Sequence, residues 1–308
     1  MANDLNYPHV AATGAPRLLR DEAVWAVALR LRRAILGDQA DAALAAGAIV
    51  AVTSELVING REVATAWDFA NAVHDTLGRP VLGACETDPD APGVAYVSVN
   101  HEMVAHRPDI ALSTIAHELG HIVFDVPPAL GRADRRYRSV TAAPDSLVRS
   151  TNASERRANE FMGALLVPPV PLHTRLLALA RSERMRLARA PHLGRPASPV
   201  LARDNAPEAM AGIVAAVAGD FGVSDRFIAV RMQRYGLLLT GANSGADLCG
   251  SNGPFTVHAG GAVRPQIAAG PRVGVAAAHE TPWRYYEVDE PTVSTYRRGG
   301  RRRAAAGA

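Results

Sequence analysis

The chain of 308 residues holds only two cysteines, Cys85 and Cys249, far apart and with no CxxC spacing. Neither a disulfide framework nor a cysteine zinc site is therefore expected, and a chain of this length can bury enough core to fold without covalent staples. Long apolar runs are also missing: the longest, Ala42 to Val52, is too short and too alanine-rich to span a bilayer. The opening residues MANDLNYPHV contain no basic n-region and no apolar h-region, so a cytoplasmic protein without membrane contact is the expectation. No repeat is visible, which argues against a solenoid. Strong basicity is lacking too, once the last residues are set aside. Arg297, Arg298, Arg301, Arg302 and Arg303 share residues 291–308 with no acid; without them the formal charge of +3 becomes −2, from 28 basic and 30 acidic side chains. The body is near neutral, and the tail reads as a solvated, disordered end rather than a nucleic-acid arm.

Periodicity divides what remains. A surface helix is expected after Pro16, with Leu18, Trp25, Leu29 and Ile35 among Arg30, Arg32 and Arg33, closed by Gly37. Further helices are expected at about Ala40 to Leu56 and Glu62 to Leu77. Two short strands, from Val81 (VLGAC) and from Val94 (VAYVSV), flank a turn-rich segment. The second alternates cleanly and reads as a sheet edge. Helices at about Ile110 to Phe124 and Asn152 to Leu166 bracket an Arg-rich loop from Gly131 to Arg149. A basic amphipathic helix over 172–189, a Pro-rich connection over 190–207 and a helix, short turn and helix from Glu208 complete the readable part.

The chemistry sits in STIAHELGHIVFD, residues Ser113 to Asp125. On a helix, His117 and His121 lie about 40° apart around the axis and one turn apart along it, so two imidazoles can meet one ion. Glu118 stands about 100° round from His117, near the ion without aiming at it, which is where a base for a metal-activated water belongs. Their helix is otherwise apolar, and a buried unpaired carboxylate costs several kcal/mol, so the three polar groups need a shared partner.

A short motif of this kind also arises by chance, and a third ligand is required. The pattern HExxHxxGxxH fails, because Phe124 stands at its glycine position and Pro127 at its last histidine. A glutamate from a second helix is the other solution, and NASERRANEFMGALLVPP offers two. Glu155 is favoured because Ala158, Met162 and Leu165 flank its side; Glu160, about 140° round, is the competitor. Asn159, four residues after Glu155, is the expected outer partner of a ligand histidine.

These motifs resemble the ImmA/IrrE family of zinc-dependent metallopeptidases, whose second motif reads roughly E-x-x-A-N-x-F-A-x-x-L-L-x-P. Glu155, Ala158, Asn159, Phe161, Leu165, Leu166 and Pro168 match it, with 33 residues between His121 and Glu155; Met162 and Gly163 depart mildly from it. The likeness covers about residues 62–170 and, more weakly, a helix-turn-helix-like segment over 208–239. It implies an α+β, mostly helical, gluzincin-like core with a small sheet, one zinc on His117, His121 and Glu155, Glu118 as general base, and a protein substrate of the transcriptional-repressor type. Two imidazoles and one carboxylate suit zinc without excluding manganese.

The organisation expected is an N-terminal helical region over 1–60, a peptidase core over 61–170, a helical segment over 171–240 and an irregular region over 241–308. An extended substrate is expected to add to the edge formed by Tyr96, Val97, Ser98, Val99 and Asn100. Tyr96, Tyr137 and His173 are oxyanion donors by residue type only, and His101 and Glu102 are candidates to line the cleft. Two other readings stand beside the peptidase. One is a DNA-binding regulator using Arg226, Arg231 and Arg234 on phosphates, with the zinc fold structural or sensory; direct nucleic-acid binding is open but not favoured. The other is a degenerate zincin that only binds a partner, against which the intact Glu118 speaks.

Overall fold

The computed structural model describes residues 3–39, 41–130, 137–141, 153–192 and 195–239. Expectations for residues 241–308, Cys249 and the arginine tail among them, lie outside the described residues. Two strands and two helices open the fold: β1 (Asn3–Leu5), α1 (Asp21–Leu36), α2 (Ala46–Val52) and β2 (Glu55–Ile58). The middle of the chain gives β3 (Arg61–Asp68), β4 (Gly83–Thr87), β5 (Val94–Val99), α3 (His101–Val104), α4 (Pro108–Phe124), α5 (Val126–Leu130), β6 (Arg138–Thr141) and α6 (Ala153–Leu166). α7 (Pro169–Ser182), β7 (Leu187–His192), β8 (Arg195–Leu201), α8 (Pro207–Phe221) and α9 (Asp225–Arg234) follow. The class is α+β.

The sheet is larger than the sequence pattern led one to expect: six strands in the order β1-β2-β3-β5-β4-β6, with β7 and β8 as a separate hairpin. The helix expected at Glu62 to Leu77 gave way to it, its start being β3, while the one expected at Ala40 to Leu56 is the shorter α2. Residues 55–68 form an antiparallel hairpin turned at Asn59 and Gly60, with φ of 50° and 76°. That is the positive-φ pair a two-residue type I′ turn requires, so the Asn-Gly dipeptide decided against a helix. The expected N-terminal helical region thus contributes β1 and β2 to the same sheet as the core. The described elements fall within one compact unit, Met1–Phe255. The Pro-rich connection over 190–207 is largely the β7–β8 hairpin, with a register shift between Ala190 and His192.

A second correction concerns β5. It pairs with β3 on one side and β4 on the other, so it has no free edge; the edges are β1 and β6. Sheet order depends on long-range pairing, which alternation along one strand does not reveal.

α4 starts with Pro108 at its first turn and is buried almost throughout, as its nearly uniform hydrophobicity dictates. It lies against β4, β5 and β6, with α6 packed along it and α1 along α6. Carbonyls near its C-terminal end are bonded from the N-terminal half: Tyr7 Oη donates to the Val123 carbonyl at 2.8 Å and Arg61 to the Pro127 carbonyl at 2.9 Å. α1 is the expected amphipathic helix, with Arg30 and Arg33 exposed and Val24, Trp25, Ala28 and Leu31 buried. Its Arg32 is only 1% exposed and donates to the Leu165, Leu166 and Ala42 carbonyls, satisfying the C-terminal end of α6.

α8 and α9 form the expected helix, turn and helix, with Ser224 capping α9 through the Phe227 N–H at 3.2 Å. Two of the arginines assigned to phosphates are engaged in ion pairs, one of them buried. Arg231 is 4% exposed and pairs with Glu160, and Arg234 pairs with Glu160 and Asp21. No single described helix is long and apolar enough to cross a membrane.

Candidate metal centre

The four-residue spacing on α4 brings His117 and His121 together, both buried, with their Nε2 atoms 3.2 Å apart. α6 carries Glu155 in its first turn to the same point. Glu155 Oε2 stands 3.3 Å from His117 Nε2, and Oε1 stands 3.3 Å from His121 Nε2. Among the described residues, His117, His121 and Glu155 are a group that could hold a metal ion. Donor atoms bound tetrahedrally at the usual distances to nitrogen and oxygen stand about 3.3 Å from one another, which is the spacing found here.

The competitor is elsewhere. Glu160 accepts from Trp25 Nε1 at 2.9 Å and Arg234 Nε at 2.7 Å, with Arg231 at 3.3 Å, in a cluster joining α1, α6 and α9.

Asn159 does not meet a histidine: it is exposed. The outer nitrogen of His121, Nδ1, donates instead to Asp125 Oδ2 at 2.9 Å. Asp125 is itself held by Arg157 at 2.7 Å and by the Ser154 hydroxyl. A carboxylate behind a histidine fixes its tautomer and raises its basicity. The signal was in the sequence: Asp125 follows His121 by the same four residues that separate the two histidines. It lies just past the last turn of α4, where a helix reading stops.

Glu118 is fully buried, with Oε1 accepting from the Thr141 hydroxyl at 2.6 Å and Oε2 buried without a partner among the described residues. Burial raises its pKa above the ordinary carboxylate value, although the positive charge of His117 and His121 and the Thr141 hydrogen bond oppose the rise. Burial pushes Glu155 the same way, but its bonds to the two histidines outweigh that and hold it well below the usual range. For His121 burial pulls downward, and the bonds to Asp125 and Glu155 push its pKa up to about 9. Cys85, on β4 beside this site, is a buried thiol whose pKa is raised by burial and by the charge of Glu118, so it stays protonated.

The expected substrate strand contributes little. Tyr96 is 41% exposed, Val97 and Val99 are core residues, and Ser98 is half-buried. Asn100 is buried and clamps the neighbouring loop, its Nδ2 donating to the Val73 and Val81 carbonyls at 3.2 and 3.0 Å. His173 Nε2 bonds the Pro199 carbonyl, and His101 and Glu102 are exposed on α3. Tyr137 is the one oxyanion candidate that reaches the centre, its Oη 3.0 Å from His121 Nδ1; burial keeps it a neutral phenol. Ser139 and Thr141, which periodicity did not single out, meet the ligand group and Glu118.

Compared with family models, curated proteins and solved structures, the chain matches none.

Proposed function

We propose that the protein is a zinc-dependent endopeptidase of the ImmA/IrrE type, cutting a regulatory protein such as a transcriptional repressor at a defined site in the cytoplasm. The observation that carries this reading is the ligand triangle with Glu118 beside it, its Oε2 buried and without a partner among the described residues. A buried carboxylate oxygen without a donor is costly, and a water held at the ion would satisfy it. The donor set fits zinc, with three protein ligands as in catalytic sites; manganese remains compatible with it.

His117, His121 and Glu155 would hold the ion, and Asp125 keeps the His121 ring aimed. When bound, zinc supplies a Lewis acid that polarises a carbonyl and lowers the pKa of water toward 7. Glu118 takes a proton from the attacking water at Oε2 and delivers it to the leaving nitrogen; burial shifts its pKa upward, the direction that favours holding that proton between the two transfers. With β6 in place Thr141 holds Oε1, which leaves Oε2 as the oxygen turned to the centre.

A DNA-binding reading loses support from the burial of Arg231 and from the pairing of both Arg231 and Arg234 with Glu160. The peptidase reading is tested by mapping new protein N termini, by mass spectrometry, in a lysate of the cells that express the chain, after treatment with zinc-loaded wild type and with Glu118→Gln. A small set of termini produced by wild type alone is expected. None with wild type, or the same set with Glu118→Gln, contradicts the proposal.

A further inference from the structure

β6 carries hydroxyl side chains at every second position of its approach to the centre. Tyr137, immediately before it, reaches His121 Nδ1, and Thr141, at its end, donates to Glu118. Between them Ser139 Oγ lies 3.1 Å from His121 Nε2 and donates to Glu155 Oε1 at 3.0 Å. The alternation of a strand puts all three on one face. The other face is engaged elsewhere: Arg138 pairs with Glu86 and bonds the His74 carbonyl, and Val140 packs with Val73, Val81 and Ala84.

The strand is held to β4 through the main chain, antiparallel, with the Leu82 N–H donating to the Thr141 carbonyl at 2.8 Å and the Thr87 N–H to the Tyr137 carbonyl at 3.0 Å. An extended segment bonded along a sheet edge, with alternate side chains in pockets, is the arrangement by which a peptide binds through strand addition. Here the segment belongs to the chain itself. Its central oxygen stands as far from two ligand atoms as the ligand atoms stand from one another. In a tetrahedral site with three protein ligands, that is the separation at which a fourth donor sits.

We propose, resting on the metallopeptidase reading, that Ser139 is a displaceable fourth donor to the ion, and that β6 is the chain's own occupant of the edge on which an extended peptide substrate docks. Substrate then competes with β6 for β4 and with Ser139 for the ion. If Ser139 served only to steady Glu155 by its hydrogen bond, it would never enter the coordination sphere, and the two roles differ spectroscopically.

The test uses the full chain loaded with cobalt(II) as wild type, Ser139→Cys and Ser139→Ala. A thiol at position 139 within coordination reach gives a thiolate-to-cobalt charge-transfer band in the near ultraviolet that wild type lacks. Ser139→Ala, read separately so that a misfolded cysteine variant does not decide the matter, should bind acetohydroxamate on the order of tenfold more tightly than wild type, the scale of one lost competing contact. Cobalt bound by all three proteins with no new band, or acetohydroxamate binding unchanged or weakened in Ser139→Ala, overturns the role of Ser139 and leaves the metal site standing. Cobalt bound by none of them overturns the metal reading, and this inference with it.

Discussion

Gly120 on α4 and Ala158 on α6 meet backbone to backbone: a β-carbon on residue 120 would stand 2.8 Å from the Ala158 Cα. Glu155 lies about one turn before Ala158, so this contact sets how near its carboxylate comes to His117, three residues before Gly120, and His121, directly after it. Gly120→Ala should force the helices apart, destabilise the fold by about 1–3 kcal/mol as overpacking does, and weaken metal binding while leaving every ligand in place. Thermal unfolding and a chelator competition read the two effects. Full metal affinity in a destabilised Gly120→Ala would show that the contact does not position Glu155.

Asp125 takes the role that the sequence pattern assigned to Asn159. Asp125→Asn removes the carboxylate behind His121 and is expected to lower metal affinity about 10–100-fold. Asn159→Ala, at an exposed position, should leave affinity unchanged. Titration of both variants with zinc in a competing chelator decides it, and a loss confined to Asn159→Ala would reverse the assignment.

Metal uptake should depend on pH in a stated direction. In the metal-free protein His121 is held up to about 9, so its bonded, protonated form stabilises that protein fully below the ordinary histidine range, and the contribution fades as pH rises through about 9. An ion needs the neutral ring. Affinity is therefore expected to rise about tenfold per pH unit from neutrality to about pH 9 and then level, with one proton released per ion. Calorimetry in buffers of different ionisation enthalpy counts that proton; a flat profile would contradict the coupling.

The Glu160 cluster is structural on this account. Removing its carboxylate leaves Arg231 buried with its charge unpaired, since that guanidinium is only 5% exposed at the side chain. Glu160→Ala should cost about 3–5 kcal/mol, the usual result of breaking a buried pair from one side. Below its lowered unfolding temperature the variant should still take up one ion. Stability is read by denaturant unfolding, and a near-neutral substitution would mean that Arg234 and Asp21 suffice to hold α9.

What could be read before the fold was known follows the range of each interaction. His117, Glu118 and His121 belong to one helix, where four-residue spacing fixes who meets whom. Glu155 was readable because its own helix declares a face, and Gly37 and the turn between α8 and α9 because their signals are local. The hairpin at Asn59 and Gly60 was local too, and was overridden by an apolar run that suits either period. The position of β5 inside the sheet was not legible, since two partners from distant segments cover its edges. Tyr137, Ser139 and Thr141 lie in a stretch that looks like an Arg-rich loop; only pairing with β4 turns their alternation into a common face.

The central claim is that His117, His121 and Glu155 form one metal site, and zinc stoichiometry tests it most directly. Wild type, Glu155→Ala and Glu160→Gln would be stripped with chelator, reloaded, and measured by elemental analysis. The account predicts about one zinc per chain in wild type and Glu160→Gln and loss of tight binding in Glu155→Ala. A wild type that stays metal-free after loading, or Glu155→Ala that keeps its zinc as tightly as wild type, would contradict it.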